Sequence, residues 1–89
     1  MYRIAYSRQA DKFLTIIYKR DIKLYQRLQN VFDDLEKNPF QGERLGGEFK
    51  GKYKTRVGNY RIVYEIRKHE LLIFIIDIGH RRDAYRILL

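Results

Sequence analysis

The sequence predicts an α+β domain in which a helical hairpin lies against one face of a mainly antiparallel sheet. Three observations lead there. Two amphipathic stretches follow one another between residues 9 and 37 with almost no linker. A Gly-Asn pair then separates two runs of strand-forming residues between 52 and 67, and an apolar run spans Leu71 to Ile76. Helices consecutive with helices, and strands with strands, segregate into a helical layer and a sheet layer. The predicted order is β-α-α-β-β-β with a short C-terminal helical element, read as a single domain over residues 1–89.

The first strand is predicted at Tyr2 to Tyr6, where Tyr2, Ile4 and Tyr6 alternate with Arg3 and Ala5. Ser7 stands where a helix N-cap belongs, ahead of a helix from Gln9 to Arg20 whose apolar face carries Phe13, Leu14, Ile16 and Ile17. Asp21 is the next cap. After it Ile22, Leu24, Tyr25, Leu28, Val31, Phe32 and Leu35 recur at helical spacing. Asn38-Pro39 ends this second helix, because the residue before a proline is driven out of helical dihedrals.

Residues 40–51 are rich in glycine and predict loop and irregular extended chain. Lys52 to Val57 and Tyr60 to Arg67, joined by Gly58-Asn59, predict a β-hairpin with a type I′ or II′ turn. Lys68-His69-Glu70 forms the next turn, Leu71 to Ile78 the last strand, and Gly79 breaks it. The final helical turns are expected within Arg82 to Leu89.

Composition narrows the function. With 45% hydrophobic and 15% aromatic residues the chain has enough apolar material for a core, which excludes a disordered tail. It has no cysteine, so disulfides and thiolate metal sites are excluded. The apolar runs are far shorter than a membrane span, and Arg3 without a long apolar stretch behind it gives no secretion signal, so the expectation is a soluble, cytoplasmic protein. Lys and Arg number 19 against 11 Asp and Glu, a net charge of +8, which favours a polyanionic partner.

The placement of those charges is specific. A two-residue turn pairs Val57 with Tyr60 and thereby fixes the register. Tyr53, Thr55 and Val57 then share an apolar face with Tyr60, Ile62, Tyr64 and Ile66, to be packed under the helices. The opposite face carries Lys52, Lys54 and Arg56 beside Arg61, Val63, Glu65 and Arg67, with Arg56 directly across from Arg61. A solvated sheet face explains Lys52 beside Glu65. It does not explain two arginines held opposite one another, which costs stability, whereas a phosphate-binding surface requires clustered cations. A three-residue turn after Arg67 is expected to set Asp77 near Arg61 and to keep Leu72, Phe74, Ile76 and Ile78 toward the helices. His80, Arg81, Arg82, Tyr85 and Arg86 should arrive at one end of the same sheet. No zinc-type spacing, paired-carboxylate motif, Ser/His/Asp set or phosphate-cradling glycine loop is present.

The stretch from Leu45 to Ile66, containing YKTRVGNYRIVYEI, and IIDIGHRRDAYR from Ile75 to Arg86, resemble the RelE/ParE superfamily of bacterial and archaeal toxins. The upstream hairpin with its Asn38-Pro39 exit is similar too, so the resemblance covers nearly the whole chain. RelE-type members are ribosome-dependent endoribonucleases that cut mRNA in the A site. ParE-type members share the fold, act on DNA gyrase and lack the catalytic set. The resemblance implies a catalytic set of Lys54, Arg56, Arg61, Arg81 and Tyr85, with Lys52, His80 and Arg82 as RNA-binding residues. Arg56 stands where the pattern has a second lysine. Arginine is a poor general base, so proton transfer falls to Lys54, His80 or Tyr85. The implied chemistry uses no metal or cofactor: the ribose 2′-hydroxyl attacks the adjacent phosphate. The implied partners are ribosome-bound mRNA and a cognate antitoxin, in a hetero-oligomeric complex, with no membrane. A gyrase inhibitor of ParE type and a non-catalytic nucleic-acid-binding module are the alternatives.

Overall fold

A computed structural model describes residues 1–80. Its elements are β1 (Arg3–Tyr6), α1 (Arg8–Arg20), α2 (Ile22–Lys37), β2 (Glu43–Arg44), β3 (Lys52–Val57), β4 (Tyr60–Arg67) and β5 (Leu72–His80). Short 3₁₀ turns occupy Pro39–Gln41, Gly47–Phe49 and Lys68–Glu70. The five strands form one sheet in the order β1-β5-β4-β3-β2. β1 runs parallel to β5, and every other neighbouring pair is antiparallel. The predicted α+β architecture is the observed one. The final helical element predicted within 82–89 lies outside the described residues.

Both helices start where the sequence places their caps. Ser7 Oγ accepts from the Ala10 amide at 3.1 Å. Asp21 closes one helix and opens the next: its N–H donates to the Ile17 carbonyl at 2.8 Å, while its carboxylate accepts from the Leu24 amide at 3.1 Å. One residue serving both ends leaves no linker, which forces the two helices into a hairpin. Leu14, Leu24, Leu28, Phe32 and Leu35 are buried from the helical side, against Val57, Ile62, Tyr64, Ile73, Ile75 and Ile78 from the sheet. Full burial of such side chains contributes roughly 1.5–3 kcal/mol each. Two residues of the predicted apolar faces stay outside this core. Ile16 and Ile22 are exposed, because a face as broad as the one read from the sequence exceeds the stripe that the sheet can cover.

The hairpin has the predicted register throughout, including Arg56 opposite Arg61 and Val57 opposite Tyr60. Of its two turn residues only Gly58 has positive φ, at 61°, which is the pattern of a type II′ turn. The stretch 40–51 contains what composition alone did not predict: the two-residue edge strand β2, with Glu43 opposite Lys54 and Arg44 opposite Tyr53.

β5 corrects the reading more deeply. It continues through Gly79 and His80, with Gly79 opposite Arg61 and His80 opposite Tyr60. Its register against β4 shifts between Val63 and Tyr64, so that Ile75 pairs with Tyr64 and Asp77 with Val63, leaving Ile76 as the extra residue of a β-bulge. The bulge reverses the facing of everything before it. Ile73 and Ile75 point to the helices and join the core, whereas Phe74, opposite Glu65, and Leu72, opposite Arg67, lie on the other face. Leu72, Phe74 and Ile76 were expected toward the helices; of that set only Ile78 joins the core. The Ile76 carbonyl accepts a 2.6 Å hydrogen bond from Ser7 Oγ, so the residue that caps α1 also secures the bulge.

Candidate functional site: a cationic sheet face

Among the described residues no helix packs on the second face of the sheet, and the cations of the hairpin stand there in rows. Lys54, Val63 and Asp77 form one row, Arg56, Arg61 and Gly79 the next, and Lys52, Glu65 and Phe74 the row on the other side. Strand pairing sets these rows, so the spacing of the cations is a property of the backbone.

The rows differ in how their charge is balanced. Glu65 takes Lys52 at 3.5 Å and also accepts from Arg67 Nε and Nη2 at 3.0 and 2.7 Å. The Arg67 guanidinium lies over the Phe74 ring at 4.9 Å. Lys52 and Arg67 are thus tied to a carboxylate at the β3 entry. Lys54 pairs with Glu43 Oε2 at 3.1 Å, an ion pair that β2 makes possible. Arg56 is exposed and has no carboxylate within ion-pair distance among the described residues. Among the described residues, therefore, Lys52, Lys54 and Arg67 have carboxylate partners on this face and Arg56 has none.

Asp77 lies on this face as expected, one row from Arg61, but it is only 3% exposed. Its Oδ2 has no hydrogen-bond partner among the described residues. Burial raises its pKa above the usual 3.8, opposed by a hydrogen bond from the Ile78 backbone. The ion pairs of the described residues include none between Asp77 and Arg61. Val63, across from Asp77 in the same row, is buried as well.

His80 is placed on the helical side. It pairs with Tyr60, and the two rings meet edge-to-face at 5.8 Å, with Phe13 of α1 on the far side of Tyr60 at 5.9 Å. The structure does not bring His80 together with Lys54, Arg56 and Arg61. Arg81, Arg82 and Tyr85 lie outside the described residues. Glu43 is the residue that sequence reasoning missed. Its signal was slight, an acidic residue in a glycine-rich stretch, and only pairing with Lys54 gives it a place on the face. Among the described residues no three His, Cys, Asp or Glu side chains converge as metal ligands would.

The backbone under Lys54 is held from the helical side. Tyr64, fully buried, donates to the Pro39 carbonyl at 2.8 Å and stacks on Tyr53 at 5.5 Å. Burial pushes the Tyr64 phenol up to about 12. Gly42 packs where a side chain would meet the Tyr64 hydroxyl and, at 2.9 Å, the Lys54 carbonyl. Two elements thus bring Glu43 onto Lys54: the buried tyrosine and the bare glycine before it.

Fold and face together define a small α+β protein with a cationic sheet surface, built on one hairpin, on which no helix packs among the described residues. Residues 4–85 match a family described as the ParE toxin of the type II toxin–antitoxin system parDE, and the chain belongs to this family, within the RelE/ParE toxin superfamily. The chain is also 36% identical over 57 residues to Toxin RelG of Mycobacterium tuberculosis, a match covering 63% of this chain and 66% of that protein. Among solved structures, the fold is similar to a YoeB/ParE toxin from Agrobacterium tumefaciens, with a TM-score of 0.80 at 16% identity over 90% of this chain and 98% of that one. It is similar as well to an archaeal RelE-RelB complex from Pyrococcus horikoshii, with a TM-score of 0.74 at 27% identity over 93% and 98% of the two chains. The chain is a toxin of a type II toxin–antitoxin system.

Proposed function

We propose that this toxin is a ribosome-dependent endoribonuclease that cleaves mRNA in the A site without a metal or cofactor. The observation that carries the reading is the convergence of Lys54, Arg56 and Arg61 on one sheet face in a register fixed by the β3–β4 turn. In the step proposed, the ribose 2′-oxygen attacks the adjacent phosphorus and the bond from phosphorus to the 5′-oxygen breaks. The products are a 2′,3′-cyclic phosphate and a 5′-hydroxyl. Arg61, with Arg56 and Arg81, stabilises the charge that builds on the phosphate oxygens, which is where fixed cations accelerate such a reaction. The proton lost by the 2′-hydroxyl needs an acceptor within reach of the same phosphate. The Lys54–Glu43 pair, at 3.1 Å, supplies a carboxylate to take it and an ammonium to protonate the leaving oxygen. Glu43 takes the accepting role that Arg56 cannot fill. Tyr85 stacks on a base, and Lys52 and Arg82 bind the flanking backbone.

The partner of the free toxin is a cognate antitoxin of acidic character, matched to the net charge of +8. The similarity to a RelE-RelB complex supports this pairing. The test is brief expression of the toxin alone, with primer extension on ribosome-bound message. Cuts at codon positions that persist in Arg56-intact protein and vanish in Glu43→Gln are the expected result. Intact message with induction of the DNA-damage response would instead favour the gyrase-directed activity of the ParE branch, whose name the matching family carries.

A further inference from the structure

A second basic site adjoins that face at the β2–β3 edge. The loop between these strands folds over the outer end of the sheet and encloses an open groove of about 680 Å³. Arg44, Lys50, Lys52 and Lys68 line it with four cations. The rest of its lining includes Leu45, Tyr53 and Ile66, all half-buried. Tyr53 cannot easily turn away, since Tyr64 stacks on it at an interplanar angle of 18° and the Phe40 edge meets it at 6.4 Å. Gly46, Gly47 and Gly51 also line the groove, and a Cβ on any of them would meet open space, so a ligand can approach the main chain there.

We propose that this groove is a nucleotide-binding subsite, which holds one nucleotide of a single-stranded RNA outside the pair being cut. Two features select this ligand over a simple anion. The apolar part of the lining, Tyr53 with Leu45 and Ile66, accepts a base, and the lysines and arginine around it accept its phosphate. Residues 44–53 contain a single acid, Glu48, so the loop's own charge favours a polyanion. The groove is also continuous with the cationic face. Lys52 lines it and heads the β3 row that continues through Lys54 to Arg56, about 13 Å along an extended strand. An RNA strand crossing the face therefore reaches the groove at Lys52. The proposal extends the ribonuclease reading, but its test is binding, so each can fail alone.

The test uses the full chain with adenosine 5′-monophosphate, inorganic phosphate, polyglutamate and a short 2′-O-methyl oligoribonucleotide that cannot be cut. In amide NMR titrations the monophosphate is expected to shift Gly46, Gly47, Gly51 and Tyr53. Lys50→Ala with Lys68→Ala, both at exposed positions, should weaken oligonucleotide binding about tenfold. The pair should also flatten the salt dependence by about 1.4 in log–log slope, at roughly 0.7 per lost single-strand phosphate contact. Unchanged affinity in that double variant, with weakened binding in Arg56→Ala, overturns the subsite and leaves the ribonuclease reading standing. Equal shifts from inorganic phosphate alone, or shifts from polyglutamate but not from the nucleotide, overturn it in favour of a plain anion site or an acidic protein contact.

Discussion

Removing Arg56 separates function from fold. Arg56 is exposed on the cationic face, directly across from Arg61, and no carboxylate pairs with it among the described residues. Arg56→Ala relieves a like-charge pair whose cost is about 0.2–1 kcal/mol, and gives up some strand propensity of similar size. The net change should lie within about ±0.5 kcal/mol, the usual range for an exposed substitution. For a domain of this size that is a melting shift of at most roughly 2–4 °C. Cleavage of ribosome-bound message should nevertheless fall by on the order of a hundredfold, the loss seen when one transition-state donor is removed. Thermal melts by circular dichroism and single-turnover cleavage of programmed ribosomes measure the two quantities on one preparation. Tyr64→Ala is the contrasting control: a fully buried ring and its bond to Pro39 are lost. It should cost about 3–5 kcal/mol, which is roughly 12 °C or more. An Arg56→Ala protein that melts ten or more degrees lower (about 10 °C on the same scale) and cuts at the normal rate would refute the reasoning, since the arginine would then be a structural residue.

Other perturbations test the scaffold. Ser7→Ala removes both the N-cap of α1 and the bond that secures the Ile76 carbonyl, and should cost about 1.5–3 kcal/mol in urea unfolding, with Ser7→Thr recovering most of it. Gly42→Ala drives a methyl into the Tyr64 hydroxyl and the Lys54 carbonyl and should destabilise by about 1–3 kcal/mol; adding Tyr64→Phe should restore only part, because the carbonyl remains. Asp77 has a raised pKa, so the stability it contributes is present below the ordinary carboxylate range and lost as pH rises through the folded value. Asp77→Asn should therefore melt higher at neutral pH, with the gain fading on acidification. Burial pushes Tyr6 and Tyr64 up from 10.0 to about 12, so the neutral phenols stabilise the fold below pH 10 and that contribution is lost between pH 10 and about 12. Tyr6→Phe should make the alkaline unfolding limb shallower.

What was legible in the sequence is what local chemistry dictates. Ser7 and Asp21 announce helix starts by side chains that compete for backbone amides, and Asn38-Pro39 announces a helix end by the proline's restriction of the residue before it. Gly58-Asn59 fixes a two-residue loop, and with it the register that sets Arg56 across from Arg61. β5 was not legible in the same way. From Leu72 to Ile78 only Asp77 is polar, so no alternation marks which residues face the helices, and a bulge at Ile76 leaves no trace in such a run. His80 was misplaced because Gly79 was expected to break the strand, whereas β5 continues through it and sets His80 opposite Tyr60. β2 is two residues long, too short for a period, and its importance comes from the pairing of Glu43 with Lys54 on the next strand. Tertiary pairing decides both cases.

The sheet order has a consequence for how the protein is made. β5, the last described strand to be synthesised, is an interior strand that bonds β1 on one side and β4 on the other. Until it emerges, β1 has no neighbour, Ser7 lacks the Ile76 carbonyl 69 residues downstream, and β4 presents a bare edge. The helices and the β3–β4 hairpin rest on local contacts and can form early, but the sheet closes only over long sequence separations, which are slow to pair. The hairpin that carries Lys54, Arg56 and Arg61 can thus form before its neighbour β5, which adds Asp77 and Gly79 to their rows, is made. The order of synthesis therefore separates two events, the folding of the hairpin and the closing of the sheet around it.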